Sequence, residues 1–87
     1  MIITAEISLY ALKEDYEAHV INYIKSLREQ PGIETRTTGM STYVRGESKD
    51  VFNAIHHSMK AYMSNDHTCS FVVKYLNADC FADPKID

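Results

Sequence analysis

Four histidines and two cysteines are the side chains of this sequence best suited to metal binding or nucleophilic catalysis. His56 and His57 are adjacent, so on a helix they would point about 100° apart and could not hold one ion as a pair four residues apart does. His67 and Cys69 lie two residues apart, but no further ligand is spaced to close a metal site with them. Neither cysteine has a base at a spacing that would create a reactive thiolate. The sequence therefore predicts no metal site, no cofactor and no catalytic residue, and so no enzyme.

Composition limits the partners that the chain can bind. Nine Lys and Arg against twelve Asp and Glu give a net charge of −3, which disfavours nucleic acid as a partner because phosphate-binding surfaces need clustered cations. The three glycines form no phosphate-binding loop. No run approaches the roughly 20 apolar residues that span a bilayer, and no basic region precedes a longer apolar run at the start. We expect one cytoplasmic domain over residues 1–87, without membrane insertion.

Hydroxyl groups are concentrated in two places that could recognise a small molecule. Ser8 and Tyr10 follow Glu6 near the start of the chain, and Ser41 and Thr42 lie in its middle. Hydroxyls, a carboxylate and an aromatic ring are groups that recognise small heteroaromatic molecules by hydrogen bonding and stacking. Whether these residues form one site depends on the elements that position them.

Alternation and β-branched residues predict four strands. Residues 33–38 and 41–46 are rich in β-branched residues and flank Gly39 and Met40, which predicts a hairpin. Residues 68–76 predict a last strand, and the tail from Asn77 is expected to be irregular. The first strand covers residues 2–10, where one set of side chains alternates with another as in a half-buried strand: Ile3, Ala5, Ile7 and Leu9 against Thr4, Glu6, Ser8 and Tyr10.

Two segments with helical periodicity separate these strands. The first ends at Pro31 and Gly32. The second follows Ser48, which we expect to be its N-cap, and ends before residues 65–66. We expect both apolar stripes to face a shared core. They consist of Tyr16, Val20, Ile24 and Leu27 in the first segment and of Val51, Phe52, Ile55, Met59 and Tyr62 in the second.

The order of these elements predicts the fold. Strand, helix, strand, strand, helix, strand with right-handed crossovers gives an α+β, ferredoxin-like βαββαβ sandwich. Its four-stranded antiparallel sheet has the strand order 4-1-3-2 and carries both helices on one face. The other face is bare. A thin core and a bare face both favour self-association, so we expect a homo-oligomer that is at least a dimer.

The bare face of the sheet is the candidate site. It offers hydroxyls, one carboxylate and aromatic rings to a flat ligand. The alternative is that these side chains cover a subunit interface or contact water, since tyrosine is enriched at interfaces. If Val44 faces the helices, Thr42 points inward and the bare face carries Glu6, Ser8, Tyr10, Ser41, Tyr43 and Arg45.

Two segments resemble the YkoF-type thiamine/hydroxymethylpyrimidine-binding domain. The first has Ile7-Ser8-Leu9-Tyr10 before an acidic stretch, similar to the family's Ser-Leu-Tyr-Pro opening and acidic helix start. The second, residues 40–54, has Ser-Thr-Tyr-Val-Arg-Gly and then Val-Phe-Asn-Ala, which resemble the family's Ser-Thr-x-x-Arg-Gly strand and Val-Phe-Asp-Ala helix. The order and spacing match over roughly residues 3–80. Ala11 stands where the family often has proline.

The resemblance implies non-catalytic binding of thiamine or its hydroxymethylpyrimidine moiety, in support of vitamin salvage or transport. Ser41 and Thr42 match the core of the second motif, and the resemblance implies that they hydrogen-bond the pyrimidine amino group and ring nitrogens. Ser8 and Tyr10 follow from the first motif, the tyrosine as a stacking wall. The founding members of the family carry two such domains in tandem, so a second copy of this chain would have to supply the other half.

The charges of two further residues suggest their roles. Glu6 could face the positively charged ring of the ligand. Arg45 is expected to pair with Glu6 or Glu47 and not with a cationic ligand, because like charges repel in a pocket of low dielectric. A different class of function stays open, in which the chain is a regulatory or assembly module that oligomerises through its open sheet face and binds no metabolite.

Overall fold

In a computed structural model that describes residues 1–12, 14–64 and 68–81, these residues form four strands and two helices in the predicted order. The strands form one antiparallel sheet with the order β2-β3-β1-β4. The predicted ferredoxin-like α+β sandwich, with strand order 4-1-3-2 and both helices on one face, is confirmed. Residues 65–66, expected after the second helix, lie outside the described residues. The elements are β1 (Ile2–Ala11), α1 (Tyr16–Arg28), β2 (Ile33–Thr37), β3 (Thr42–Glu47), α2 (Ser48–Met63) and β4 (Cys69–Leu76).

The core lies between the central strands and the helices. Strand β1 pairs with β3 on one side and β4 on the other, so its helix-facing side chains form the floor of the core. Ile3, Ala5, Ile7 and Leu9 are all buried there. Val44 of β3 is buried beside them, which confirms that it faces the helices.

A buried hydrogen bond joins the two helices. The hydroxyls of Tyr23 in α1 and Ser58 in α2 are 3.0 Å apart, and Ser58 also donates to the carbonyl of Ile55 at 3.2 Å. Burial raises the pKa of Tyr23 to about 12, so its hydroxyl keeps its proton. After α1, Gly32 has a φ of +80°, and a side chain there would also meet Asp50 at 2.7 Å. The turn predicted at this position therefore requires glycine.

Two details of α2 differ from the sequence-based expectation. Ser48 is the first residue of the helix, and Glu47 is the N-cap without a side-chain capping bond. Phe52 is 49% exposed, while Val51 beside it is fully buried. Adjacent helical residues point about 100° apart, so both could not occupy the centre of the stripe. The Phe52 ring instead contacts the ring of Tyr75 on β4, edge to face, with centroids 5.1 Å apart.

The segment after β4 crosses the face of the sheet opposite the helices. Thr4 of β1 points to that face, yet it is only 4% exposed. Its hydroxyl donates to the carbonyl of Ala78 at 2.7 Å and accepts from the N–H of Cys80 at 3.0 Å. Further along, the guanidinium of Arg36 on β2 lies 4.4 Å from the ring centroid of Phe81. Residues 77–81, here called the C-terminal segment, thus cover one end of the open face.

Arg45 holds this segment in place. Its guanidinium donates to both carboxylate oxygens of Asp79 and also reaches Glu34 of β2 at 2.9 Å. The expectation that Arg45 pairs with Glu6 or Glu47 was wrong. The reason is register, since β2 places Glu34 directly opposite Arg45 and the C-terminal segment brings Asp79 over it.

We predict that Phe52→Ala destabilises the fold less than a truncation in the core. The variant loses one aromatic contact and the burial of a half-exposed ring, so its free energy of unfolding should fall by about 1–2 kcal/mol. Leu27→Ala removes a fully buried side chain and should cost about 2–5 kcal/mol. Urea unfolding of both variants gives the two values. A larger loss for Phe52→Ala than for Leu27→Ala would contradict this placement.

We predict that Thr4→Val releases the C-terminal segment. The change leaves the Ala78 carbonyl and the Cys80 N–H without their partner and should reduce the free energy of unfolding by about 1–3 kcal/mol. Amide exchange at Cys80 and Phe81 should become faster. Thr68→Val, at an exposed position before β4, is the matched control. Unchanged exchange at residues 80–81 in Thr4→Val would show that the hydroxyl does not hold the segment.

Candidate functional site

Glu6 belongs to a polar network on the open face. Its carboxylate accepts a hydrogen bond from the Ser41 hydroxyl at 3.1 Å and lies 3.5 Å from the Lys74 ammonium. Hydrogen bonds from Tyr43 and then Ser41, with a smaller contribution from the Lys74 charge, lower the pKa of Glu6 below its ordinary value. The carboxylate is therefore ionised at neutral pH, and its partners come from β3, from β4 and from Ser41 just before β3.

A cavity of about 330 Å³ lies on the other side of the sheet, between α1 and the β2–β3 hairpin. Its floor is formed by residues 7–9 of β1, and the hairpin contributes residues 37–42. The wall from α1 consists of Tyr16, Glu17, Val20, Ile21, Tyr23 and Ile24. The cavity thus combines an apolar helix surface with a hairpin rich in hydroxyl groups, as small-molecule sites do.

The cavity exists because α1 packs closely against the core only in its second half. The buried residues of α1 are Tyr23 and Leu27. In its first half, Tyr16 and Ile21 are exposed, and Val20 is only partly buried against the core. The start of the helix therefore stands away from the sheet, and the hairpin encloses the resulting space from the side.

Hydrogen bonds fix the wall of the cavity. The Tyr16 hydroxyl donates to the carbonyl of Leu9 at 3.1 Å, which holds the start of α1 at the end of β1. At the hairpin, the Thr38 hydroxyl accepts from the N–H groups of Met40 and Ser41, at 3.1 and 3.2 Å. Such a side-chain turn stabilises the hairpin bend around Gly39.

Thr42 provides a hydroxyl at the inner end of the cavity. It is 5% exposed, and its hydroxyl lies 3.4 Å from that of Thr37 on the neighbouring strand. Arg28, in the last turn of α1, donates to the same Thr37 hydroxyl at 3.2 Å. Because a hydroxyl can donate one bond and accept two, the Thr37 and Thr42 pair can offer both donor and acceptor to a ligand.

The structure divides the predicted site residues between the two faces. Ser8, Ser41 and Thr42 are among the residues that line the cavity. The side chain of Ser8, however, belongs to the open face, opposite Val72, and the Ser41 hydroxyl bonds to Glu6 on that face. Glu6 and Tyr10 are not among the lining residues, and Tyr10 is 51% exposed on the open face. The open face and the cavity are therefore two separate places, joined through β1 and β3.

Sequence reasoning missed the contribution of α1 to the cavity. Tyr16 is predicted as part of the apolar stripe, but the sequence predicts no binding role for it or for Tyr23, Glu17 and Thr37, which also line the cavity. A signal was present, because the two tyrosines are seven residues apart and so lie on one helix face with hydroxyls that need partners. It could not be separated from an ordinary core stripe.

Metal-binding and nucleophilic chemistry find little support in the described part of the chain. Residues 1–12, 14–64 and 68–81 contain no group of three or more His, Cys, Asp or Glu arranged to hold a metal ion, and His67 lies outside them. Burial raises the pKa of the Cys69 thiol, which keeps it protonated. The same residues include no helix that is long and apolar enough to cross a membrane.

Several solved structures share this fold. A Streptococcus pneumoniae protein superposes with a TM-score of 0.82 at 15% identity, over 98% of this chain and 96% of that one. A hypothetical protein from Methanocaldococcus jannascii gives 0.75 at 15% identity, with 90% and 81% covered. A Thermotoga maritima protein, assigned provisionally to thiamine biosynthesis or salvage, gives 0.75 at 13% identity, with 86% and 82% covered. At these identities the similarity shows the fold alone.

Family membership rests on the sequence itself. No curated protein matches the chain significantly. The model of the YKOF-related family, however, matches residues 2–78, a range that includes every strand, both helices and all the residues that line the cavity. This chain belongs to the YKOF-related family.

Proposed function

We propose that this protein binds thiamine or its hydroxymethylpyrimidine moiety in the cytoplasm without transforming it, in support of vitamin salvage or transport. The observation that carries the proposal is the position of Ser41 and Thr42. They are the Ser-Thr step of the motif that resembles the family's strand, and they lie on the wall of the cavity between α1 and the hairpin. Family membership and the thiamine-related assignment of the Thermotoga maritima neighbour support the same class of ligand.

Size and chemistry of the cavity suit a substituted pyrimidine. Its volume of about 330 Å³ is at the lower end of the about 300–1,000 Å³ found for small-molecule sites. Thr42 and Thr37 supply hydroxyls for the amino group and ring nitrogens, and Val20 and Ile24 supply apolar surface. Tyr16, held by its bond to Leu9, replaces Tyr10 as the aromatic wall against which the ring stacks.

Binding without catalysis fits the ionisable groups around the cavity. Tyr23 has a pKa of about 12 and remains neutral, so it offers neither a base nor a nucleophile at neutral pH. Cys69, on β4, packs against the core cluster as a protonated thiol and is not a lining residue. Glu17 adds a carboxylate to the lining, and we propose that the cavity recognises its ligand by shape, hydrogen bonding and charge.

We further propose that the chain is at least a dimer that joins through the open sheet face. The C-terminal segment covers one end of that face at Thr4, and the other end exposes about half of Tyr10 and of Val72. Exposed apolar residues on an otherwise polar sheet are typical of an interface between copies. The same exposure favours the second candidate function, an assembly module that binds no metabolite.

We predict that thiamine and hydroxymethylpyrimidine bind with saturable heat in calorimetric titration, and that Thr42→Val weakens both about 3- to 10-fold. The loss corresponds to one hydrogen bond of about 0.5–1.5 kcal/mol. Thr35→Val is the matched control. Thr35 is a half-buried residue of β2, lies opposite Val44 of β3 and does not line the cavity.

Two results of this titration would contradict the proposal. A flat trace for the wild-type protein at millimolar ligand would reject metabolite binding and favour the assembly module. If the wild-type protein binds saturably but Thr42→Val and Thr35→Val bind with equal affinity, the ligand lies outside this cavity.

We predict a mass of at least twice 9.9 kDa by size-exclusion chromatography with light scattering at micromolar concentration. Val72→Asp, which introduces a charge into the exposed part of the open face, should shift the protein toward the monomer because a buried unpaired charge is costly. Ile21→Asp, an exposed position on α1, serves as control. A monomeric wild-type protein would reject assembly through this face.

A further inference from the structure

Of the described residues that line the cavity, Glu17 is the one with a charged side chain. Among its lining residues, those of β1 and the hairpin are apolar, hydroxyl-bearing or glycine, and α1 adds only Glu17 to its apolar and tyrosine residues. Glu17 lies in the first turn of α1 and is exposed. It therefore marks the solvent side of the cavity, whereas the nearly buried Thr42 marks the inner end.

This arrangement gives the cavity a direction. At the inner end, Thr42 is nearly buried, and its hydroxyl, paired with that of Thr37, suits a neutral ring that hydrogen-bonds. At the outer end, a carboxylate in contact with water suits a cation, because an exposed ion pair gains some Coulomb energy without the cost of burying a charge. A ligand with a neutral ring joined to a cationic ring matches both ends.

Among the described residues, Arg28 brings a cation to the hairpin side of the cavity from the last turn of α1. Arg28 donates to the Thr37 hydroxyl but is not a lining residue. It is eleven residues beyond Glu17, about 16 Å along the axis of α1, so the two charges mark opposite ends of the helix. The N–H groups at the start of α1 favour an anion, and Glu17 in the first turn already supplies negative charge to them.

We propose that Glu17 is a specificity-determining residue that selects ligands by charge. The site takes a flat ligand with its neutral hydrogen-bonding ring against Thr42 and its cationic group beside Glu17, and it binds phosphate esters of the same ligand more weakly. This inference rests on the proposed function, and it assigns to Glu17 the role that the sequence assigned to Glu6. Glu6 lies on the other face of the sheet and is engaged by Ser41 and Lys74.

Calorimetric titration at low ionic strength with three probes tests this assignment. Thiamine is cationic, hydroxymethylpyrimidine is neutral, and thiamine diphosphate is anionic. In Glu17→Gln, the affinity for thiamine should fall about 2- to 5-fold, the affinity for hydroxymethylpyrimidine should not change, and that for thiamine diphosphate should rise. Added salt should reduce the difference between wild type and variant for thiamine alone. Glu29→Gln, at an exposed position just after α1, is the matched control and should behave as wild type.

The possible failures are distinguishable. If the wild-type protein binds none of the three probes, the proposed function is rejected, and the role of Glu17 with it. If it binds thiamine but Glu17→Gln shows the same ratio of affinities as Glu29→Gln, the role of Glu17 alone is rejected. If thiamine diphosphate binds most tightly and Arg28→Gln abolishes that preference, the charge selection is opposite in sign and belongs to Arg28.

Discussion

The central strand β1 has to serve two faces of the sheet at once, and the rest of the structure depends on this constraint. It is paired on both sides, by β3 and by β4, so a shift of one residue would move every buried side chain to the open face. Its odd-numbered residues form the floor of the core, and its even-numbered residues meet the C-terminal segment at Thr4 and the polar network at Glu6. The alternation of side chains along β1 therefore positions both the core and the open face.

The cavity follows from how the two helices divide the helix side of the sheet. Tyr23 contributes its hydroxyl to the bond with Ser58 and also contacts the ring of Phe71 on β4, with centroids 4.9 Å apart. These contacts anchor α1 at its middle and leave its first turns to stand over the hairpin. Tyr16 then closes the end of the gap through its bond to Leu9. Tyr23 thus both anchors the helix and lines the cavity.

Local periodicity accounts for what the sequence could predict, and long-range geometry for what it could not. Alternation in β1 and the hairpin gave the strands, their order and the inward orientation of Val44. A helical stripe could not show that Val51, not Phe52, is central, because both lie near one face of α2. Arg45 pairs with Asp79, 34 residues away, which no local pattern predicts. The cavity depends on how α1 packs over the sheet, which helical periodicity does not specify, so the sequence singled out Ser41 and Thr42 but could not show that they line this cavity.

Ser41 and Thr42 show how the two surfaces are connected. They are consecutive, so one faces the open side while the other faces the cavity. The backbone of Ser41 is held by Thr38, whose N–H donates to the Ser41 carbonyl at 2.9 Å, and its hydroxyl is held by Glu6. With Ser41 fixed on both counts, the direction of Thr42 is set by the protein itself, which would lower the ordering cost of binding the proposed ligand. The carboxylate of Glu6 therefore supports the wall of the cavity through the backbone of β3, while Glu17, which we propose to face the ligand, lies on α1, away from that network.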